Sequence, residues 1–258
     1  MREILPRELL ICTIARLLEG VRHVAVGASS PMPAAGAMLL RARQEKQGAS
    51  AVRISILGSV KHNFFTNGGV ELFDCAAQGR IDAFFLGGGQ IDGRGNVNLV
   101  GVGDYPRSQV RWPGSFGAAY LYFVVPRVIL FREEHSPRVF VDQVDFVSAP
   151  GTSEAGVYRT GGPYALLTSK CLFRFDATRP GFVLDSVHPG HDLASIKQAT
   201  GFEFAHADRP VQTPPPDSTT LALLRSRVMD ELSETYPEFA SKMRRELQDL
   251  EAQTAPSS

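Results

Sequence analysis

What this 258-residue sequence lacks narrows its reading first. It has no excess of either charge: 27 lysines and arginines balance 27 aspartates and glutamates. The basic residues are scattered among acids, so the broad positive surface that draws nucleic acid or an anionic bilayer is not expected. No apolar run reaches the roughly 20 residues needed to span a membrane. The opening from Met1 to Pro6 has no leader pattern, because Glu8 and Arg16 interrupt what would be its apolar core. The three cysteines, Cys12, Cys75 and Cys171, are odd in number, far apart and without CxxC spacing. That argues against a disulfide framework or a zinc site and for a reducing, cytoplasmic setting. Cys75 is expected on a buried helix face, inert. No internal repeat occurs.

Glycine, by contrast, is concentrated. After the apolar run Ala83-Phe84-Phe85-Leu86 comes Gly87-Gly88-Gly89-Gln90-Ile91-Asp92-Gly93-Arg94-Gly95-Asn96-Val97-Asn98. Three glycines in a row remove every Cβ where a backbone must turn sharply or approach another molecule. A second such stretch, Pro113-Gly114-Ser115-Phe116-Gly117-Ala118-Ala119, follows. Two tight turns at strand ends would explain both. So would a pocket whose backbone N–H groups face a thioester, carboxylate or phosphate.

The periodicity predicts a helix from Pro6 to Glu19 ended by Gly20, then a strand over His23–Gly27. Ser29 or Ser30 caps a second helix, roughly Ala34 to Arg43, with a proline at its start. A strand over Val52–Leu57, a helix over Val70–Ala77 and a strand over Ile81–Leu86 follow. The alternation of strand and helix, with glycine or serine at each strand's carboxyl end, predicts an open, mainly parallel α/β sheet flanked by helices. Its ligand would lie beyond those strand ends. Further on, Tyr120–Phe131 reads as a β-rich run carrying Pro126, and Arg138–Val147 as another strand. Ala165–Phe175 and Phe182–Val187 read as paired strands, and Asp192–Ala199 as a short helix. The prolines at 214–216 form a stiff linker. Residues 218–250 are an amphipathic helix or helix pair broken at Pro237, read as a solvated helical appendage packed on one face. The expected division is therefore an α/β domain over residues 1–213 and a C-terminal helical extension over 214–258.

Several motifs in this order resemble one family. Phe73-Asp74, Gly79-Arg80-Ile81-Asp82, Leu86-Gly87-Gly88-Gly89-Gln90-Ile91-Asp92 and Gly95-Asn96-Val97-Asn98 are similar to the signature of family I coenzyme A transferase β subunits of the glutaconate CoA-transferase type. Gly103-Asp104-Tyr105, Gly114-Ser115-Phe116-Gly117-Ala118, Val144 to Gly151 and Thr200-Gly201-Phe202 continue the likeness. A lone GGGQ would be weak; the colinear set spans about 6–225. The resemblance implies an open α/β domain paired with a homologous α subunit, commonly as α2β2, with the active site between subunits. It also implies an acyl-CoA substrate, so that coenzyme A arrives with the substrate and no cofactor is held permanently. A glutamate of the β subunit attacks the thioester, giving an anhydride and then a glutamyl-CoA thioester. Glycine-rich backbone donates to the developing oxyanion.

The sequence departs from this pattern where the nucleophile belongs. Its strand end reads Ile54-Ser55-Ile56-Leu57-Gly58-Ser59, which puts Leu57 at the catalytic position, and a leucine cannot form an anhydride. Phe116 also replaces a glycine of the second loop. The favoured expectation is a subunit diverged to hydrolysis, ring opening or decarboxylation of an acyl-CoA. One alternative is a true transferase whose carboxylate comes from the α subunit. Another is a non-catalytic scaffold subunit. Lys61 and His62 are the catalytic candidates, to orient a substrate carboxylate or shuttle a proton; an ordinary exposed loop pair is the plain alternative. Gly88, Gly89, Gly114 and Gly117 are expected to let backbone approach the thioester or CoA. Gln90, Asn96 and Asn98 are expected as pocket polar groups or as pins of the turn. Arg107 and Arg111 would meet CoA phosphates unless they are solvated surface residues. Glu133, Glu134 and His135 cluster, but without matching ligand spacing elsewhere no metal is expected.

Overall fold

A computed structural model of the chain describes residues 4–254. Met1 to Glu3, the start of the opening read for a leader, and residues 255–258 of the expected helical extension lie outside them. In chain order the elements are α1 (Pro6–Leu17), β1 (His23–Val26), α2 (Pro31–Lys46), β2 (Arg53–Ile56), α3 (Gly68–Ala77) and β3 (Ala83–Leu86). Four two-residue strands follow: β4 (Gln90–Ile91), β5 (Val97–Asn98), β6 (Gly101–Val102) and β7 (Val110–Arg111). Then come α4 (Ala118–Val124), β8 (Arg127–Arg132), β9 (Pro163–Thr168), β10 (Cys171–Asp176), β11 (Gly181–Val187), α5 (Leu193–Ala199) and β12 (Val211–Gln212). The chain closes with α6 (Ser218–Leu223), a π-helical turn Leu224–Val228, α7 (Met229–Thr235) and α8 (Pro237–Thr254).

These elements gather into two compact units, one running to Gly68 and resuming at Pro215, the other covering Gly69–Pro214. In the first unit β1 and β2 pair in parallel, Val24 opposite Ile54 and Val26 opposite Ile56. Helices α1 and α2 pack closely: a Cβ on Gly36 would fall 2.3 Å from Ile14 Cγ2. Pro6 and Pro31 start the two helices where a missing N–H costs nothing, and Glu8 reaches back 3.0 Å to accept from the Leu5 amide. The fully buried Glu8 carboxylate is held by the Arg225 guanidinium at 2.7 and 2.9 Å. A charge that deep persists only when paired.

In the second unit the strand order is β12-β11-β10-β9-β8-β3. The pairs β3–β8, β8–β9 and β11–β12 are parallel, while β9–β10 and β10–β11 are antiparallel. The α/β architecture with a mainly parallel sheet and C-terminal helices is thus the one expected from the alternation.

Four local expectations are corrected. Helix α2 starts at Pro31 rather than Ala34 and runs on to Lys46. The first half of the presumed strand Tyr120–Phe131 is α4. Ala118, Leu121, Tyr122 and Val125 are buried together, a helical spacing that outweighs the β preference of Tyr and Val. Pro126 then separates α4 from β8. Residues Arg138–Val147 form no strand; only an isolated bridge joins Ile91 and Phe140. The Ile91 amide donates to the Val139 carbonyl and the Val141 amide to the Ile91 carbonyl, and the ladder stops at that one bridge. Finally, Ala165–Phe175 is two strands, β9 and β10, folded back on each other.

Candidate functional site

In the first unit the chain leaves β2 in a closed turn. The Leu57 amide donates to the Val26 carbonyl at 3.0 Å, extending the parallel ladder by one residue. Gly58 then adopts φ +81°, where a side chain would be strained. The Ile56 amide donates to the His62 carbonyl at 2.9 Å, so residues 57–61 form a loop with pinned ends. Inside it Ser59 is buried, and its hydroxyl accepts from the His62 amide at 2.9 Å. Val60 at the tip is 95% exposed and Lys61 is exposed beside it, while His62 is buried. No acid occurs in the segment from Arg53 to Asn67.

The carboxylates near this turn come from α7. Glu231 pairs with Arg41 and lies 3.1 Å from His62 Nε2. That approach has the distance but not the angle of a hydrogen bond, leaving the imidazole Nε2 without a properly aligned partner. Burial lowers the His62 pKa, and the Arg41 charge adds to the effect against the opposing pull of Glu231. Burial thus favours the neutral imidazole at His62. One turn along the helix, Glu234 Oε1 accepts from the Lys61 amide and Oε2 from the Ser59 hydroxyl, each at 3.2 Å. The Thr235 hydroxyl, 2.5 Å from Oε2, is the main reason the Glu234 carboxyl sits below the usual range. Tyr236 donates to the Gly27 carbonyl, at the end of β1, at 3.1 Å.

In the second unit the glycine stretch leaves β3. None of Gly87, Gly88 and Gly89 has a positive φ. Their lack of a Cβ serves packing: an added Cβ would lie 2.5 Å from Val97 Cγ1 at Gly88 and 2.1 Å from the Trp112 ring at Gly89. Gln90 and Asn98 are buried and face each other across the β4–β5 hairpin. Asn98 Nδ2 donates to Gln90 Oε1 and to the Gly101 carbonyl, both at 2.7 Å, and Oδ1 accepts from the Val100 amide at 2.9 Å. Gln90 Oε1 also accepts from the Asp145 amide at 3.0 Å. The Asn96 amide group donates to Asp92 at 3.0 Å and accepts from the Gly151 N–H at 3.0 Å. With Asp92, Asn96 also borders a cavity of about 500 Å³ that Arg94, Asp142 and Glu203 help to line. These amide side chains pin their turns with the hydrogen bonds they make.

Gly114, at φ +99°, is exposed with open space where a Cβ would go. At Gly117 a Cβ would strike the Phe73 ring at 2.1 Å. Between them Phe116 holds φ +47°, its ring against Phe73 and 81% exposed. Arg107 and Arg111 are both exposed, and Arg111 lies over the Tyr105 ring at 5.5 Å. The 133–135 cluster separates: Glu133 is exposed, Glu134 binds Arg138 and Ser136, and buried His135 bonds Thr168 and Thr200 at 2.8 and 2.9 Å. Burial holds the His135 pKa down at about 3. Among the described residues no group of three or more His, Cys, Asp or Glu could hold a metal. Cys75 is buried, as expected. Sequence reasoning missed Arg41, Glu231, Glu234 and Tyr236. The available signal was the pair of acids three residues apart on one face of a helix that read as solvated.

The pattern of the family described as coenzyme A transferase matches residues 8–199. The chain belongs to that family. Within it the likeness is to B-type subunits, as the colinear motifs implied. The chain is 33% identical over 154 residues to the B-type subunit of 3-oxoadipate CoA-transferase from Pseudomonas knackmussii, covering 57% of this chain and 59% of that one. It is 31% identical over 160 residues to the cholesterol ring-cleaving hydrolase IpdB subunit of Rhodococcus jostii, covering 60% and 62%. Among solved structures, the decarboxylase AibA/AibB superposes with a TM-score of 0.72 at 25% identity, over 86% of this chain and 94% of that chain. The matched stretch thus spans about three fifths of the length of the curated relatives. By their names, members of this enzyme family catalyse transfer, hydrolysis and decarboxylation.

Proposed function

We propose that this chain is the B-type subunit of an acyl-CoA-processing enzyme that has left covalent CoA transfer for hydrolytic ring opening or decarboxylation. One observation carries the reading: the residue leaving β2, where the resemblance places the nucleophile, is Leu57, and the closed turn after it holds no acid. A hydrocarbon side chain offers neither a nucleophile nor a base. The relatives named as a hydrolase and a decarboxylase support such divergence. In the first unit Lys61 and His62 would be the polar groups that the β2 turn contributes. Gly114, which has open space beside it, and Gly117 would offer backbone to the thioester, with Gly88 and Gly89 shaping the loop below. Coenzyme A arrives as part of the substrate. A homologous A-type chain completes the site, in an α2β2 or related assembly in the cytoplasm.

A second reading, a scaffold subunit without chemistry of its own, is favoured by one observation. Gln90, Asn96 and Asn98 are bound internally, and the glycine triplet is explained by packing. Both readings meet one experiment. The complex with its A-type partner is incubated with a panel of acyl-CoA esters and hydroxylamine, then digested and examined by mass spectrometry. The expected outcome is product formation with no CoA thioester or hydroxamate on any glutamate of this chain. A modified glutamate here would refute the divergence. Undiminished turnover after separate Lys61→Ala and Gly114→Val substitutions would favour the scaffold.

A further inference from the structure

We infer that α7, from the C-terminal segment that reads as a solvated extension, is a working part of the β2-turn site, with Glu234 a positioning residue for Lys61. This rests on the acyl-CoA reading above. Helix α7 lies beyond the family match, which ends at residue 199, and beyond the colinear motifs, which reach about 225, so neither assigns it a role. Yet two of its acids, on one helical face, reach the turn that follows β2. Glu231 is engaged by Arg41 and approaches His62 from the buried side. Glu234 bonds the two groups that define the exposed side, the Ser59 hydroxyl and the Lys61 amide. Thr235 adds a bond to Ser59 at 2.9 Å, and Tyr236 ties the same helix end to the carbonyl of Gly27.

The turn is therefore held from outside at Ser59 and Lys61, while its tip is left bare. Lys61 is exposed, and among the described residues its ammonium enters no hydrogen bond or ion pair. Fixing the amide of a lysine fixes the origin of its side chain, which lowers the entropy lost when the ammonium meets an anion. Arg41 and Lys61 balance Glu231 and Glu234, so the turn itself does not repel an anionic ligand. The chemistry fitted to Lys61 is an oxyanion of the acyl-CoA, either a phosphate of the CoA or a carboxylate of the acyl group.

The test uses the assembled complex and titration calorimetry with two probes, acetyl-CoA and glutaryl-CoA, which differ in the acyl carboxylate. Lys61→Ala is expected to weaken binding about fivefold or more. Loss for both probes identifies a CoA phosphate; loss for glutaryl-CoA alone identifies the acyl carboxylate. Glu234→Ala is expected to give a smaller loss, about threefold, in the same probes, with the complex still assembled. The Lys61→Ala, Glu234→Ala double variant should bind no worse than Lys61→Ala alone, because Glu234 acts through Lys61. Additive losses, or a lowered Tm with unchanged affinity in Glu234→Ala, would overturn the positioning role. Wild-type complex that binds neither probe would sink the acyl-CoA reading itself. Wild-type binding with both single variants unchanged would sink only this inference.

Discussion

The turn after β2 and the turn after β3 both leave the carboxyl end of a strand in a parallel pair, but they are held in opposite ways. The β3 turn is pinned largely by its own side chains: Gln90, Asp92, Asn96 and Asn98 bond one another and backbone, that of Asp145 and Gly151 included, and its glycines make room for Val97 and Trp112. The β2 turn is short and depends on carboxylates from a helix about 170 residues later. The contrast extends through both units. In the first the ion pairs Glu8–Arg225 and Arg41–Glu231 reach into the core; in the second the buried imidazoles of His135 and His188 bond hydroxyls, while ion pairs such as Arg174–Asp185 stay partly exposed. A turn saturated from within makes a good frame. One anchored from outside can leave its tip bare for a ligand.

The largest expected effect tests the charged unit. Arg225→Ala leaves the fully buried Glu8 unpaired and should cost about 4 kcal/mol, read as a drop in the urea midpoint; a loss below about 1 kcal/mol would remove the contrast. Next, His135 marks the neutral unit through pH. Its folded pKa, about 3, is depressed from 6.5, so its contribution to stability is present above pH 6.5. As pH falls below 6.5 the unfolded chain takes up a proton that the folded chain refuses until about pH 3. The loss approaches about 5 kcal/mol at a slope near 1.4 kcal/mol per pH unit. Denaturant melts of wild type and His135→Asn between pH 7 and 4 should diverge in slope, and parallel slopes would contradict a neutral buried ring. Third, Asn98→Ala strands the Val100 and Gly101 amides and should cost about 3 kcal/mol, with hydrogen exchange accelerated across residues 90–101. Smallest, Thr235→Val should cost under about 1 kcal/mol while raising the Glu234 pKa, followed by carboxyl NMR titration; an unmoved pKa would discount that hydroxyl.

Much of the fold was legible because glycine and serine punctuate the strands. Helix α1 ends just before Gly20, and β1, β2 and β3 fall where apolar runs meet these residues. Where the reading failed, local preference and packing disagreed. Tyr120 to Val125 has the composition of a strand, yet the core takes Ala118, Leu121, Tyr122 and Val125 from one helical face. Segment 138–147 has strand-like residues, but its buried pair Val139 and Phe140 is fixed by a single bridge to Ile91. Of the candidate site, the glycine-rich stretch after β3 was legible as a turn. The meaning of the glycines was not, since nothing in the sequence says that Trp112 and Phe73 come to rest against Gly89 and Gly117.

By itself the sequence determined the family and the alternation of strand and helix. Each of these is carried by residues close together in the chain. Only the tertiary structure decided which polar groups are already engaged and which charges meet. Those outcomes depend on side chains brought together across up to 217 positions, as Glu8 and Arg225 are. Such pairs have no local signature, because burial and partnership are settled only when the chain closes on itself.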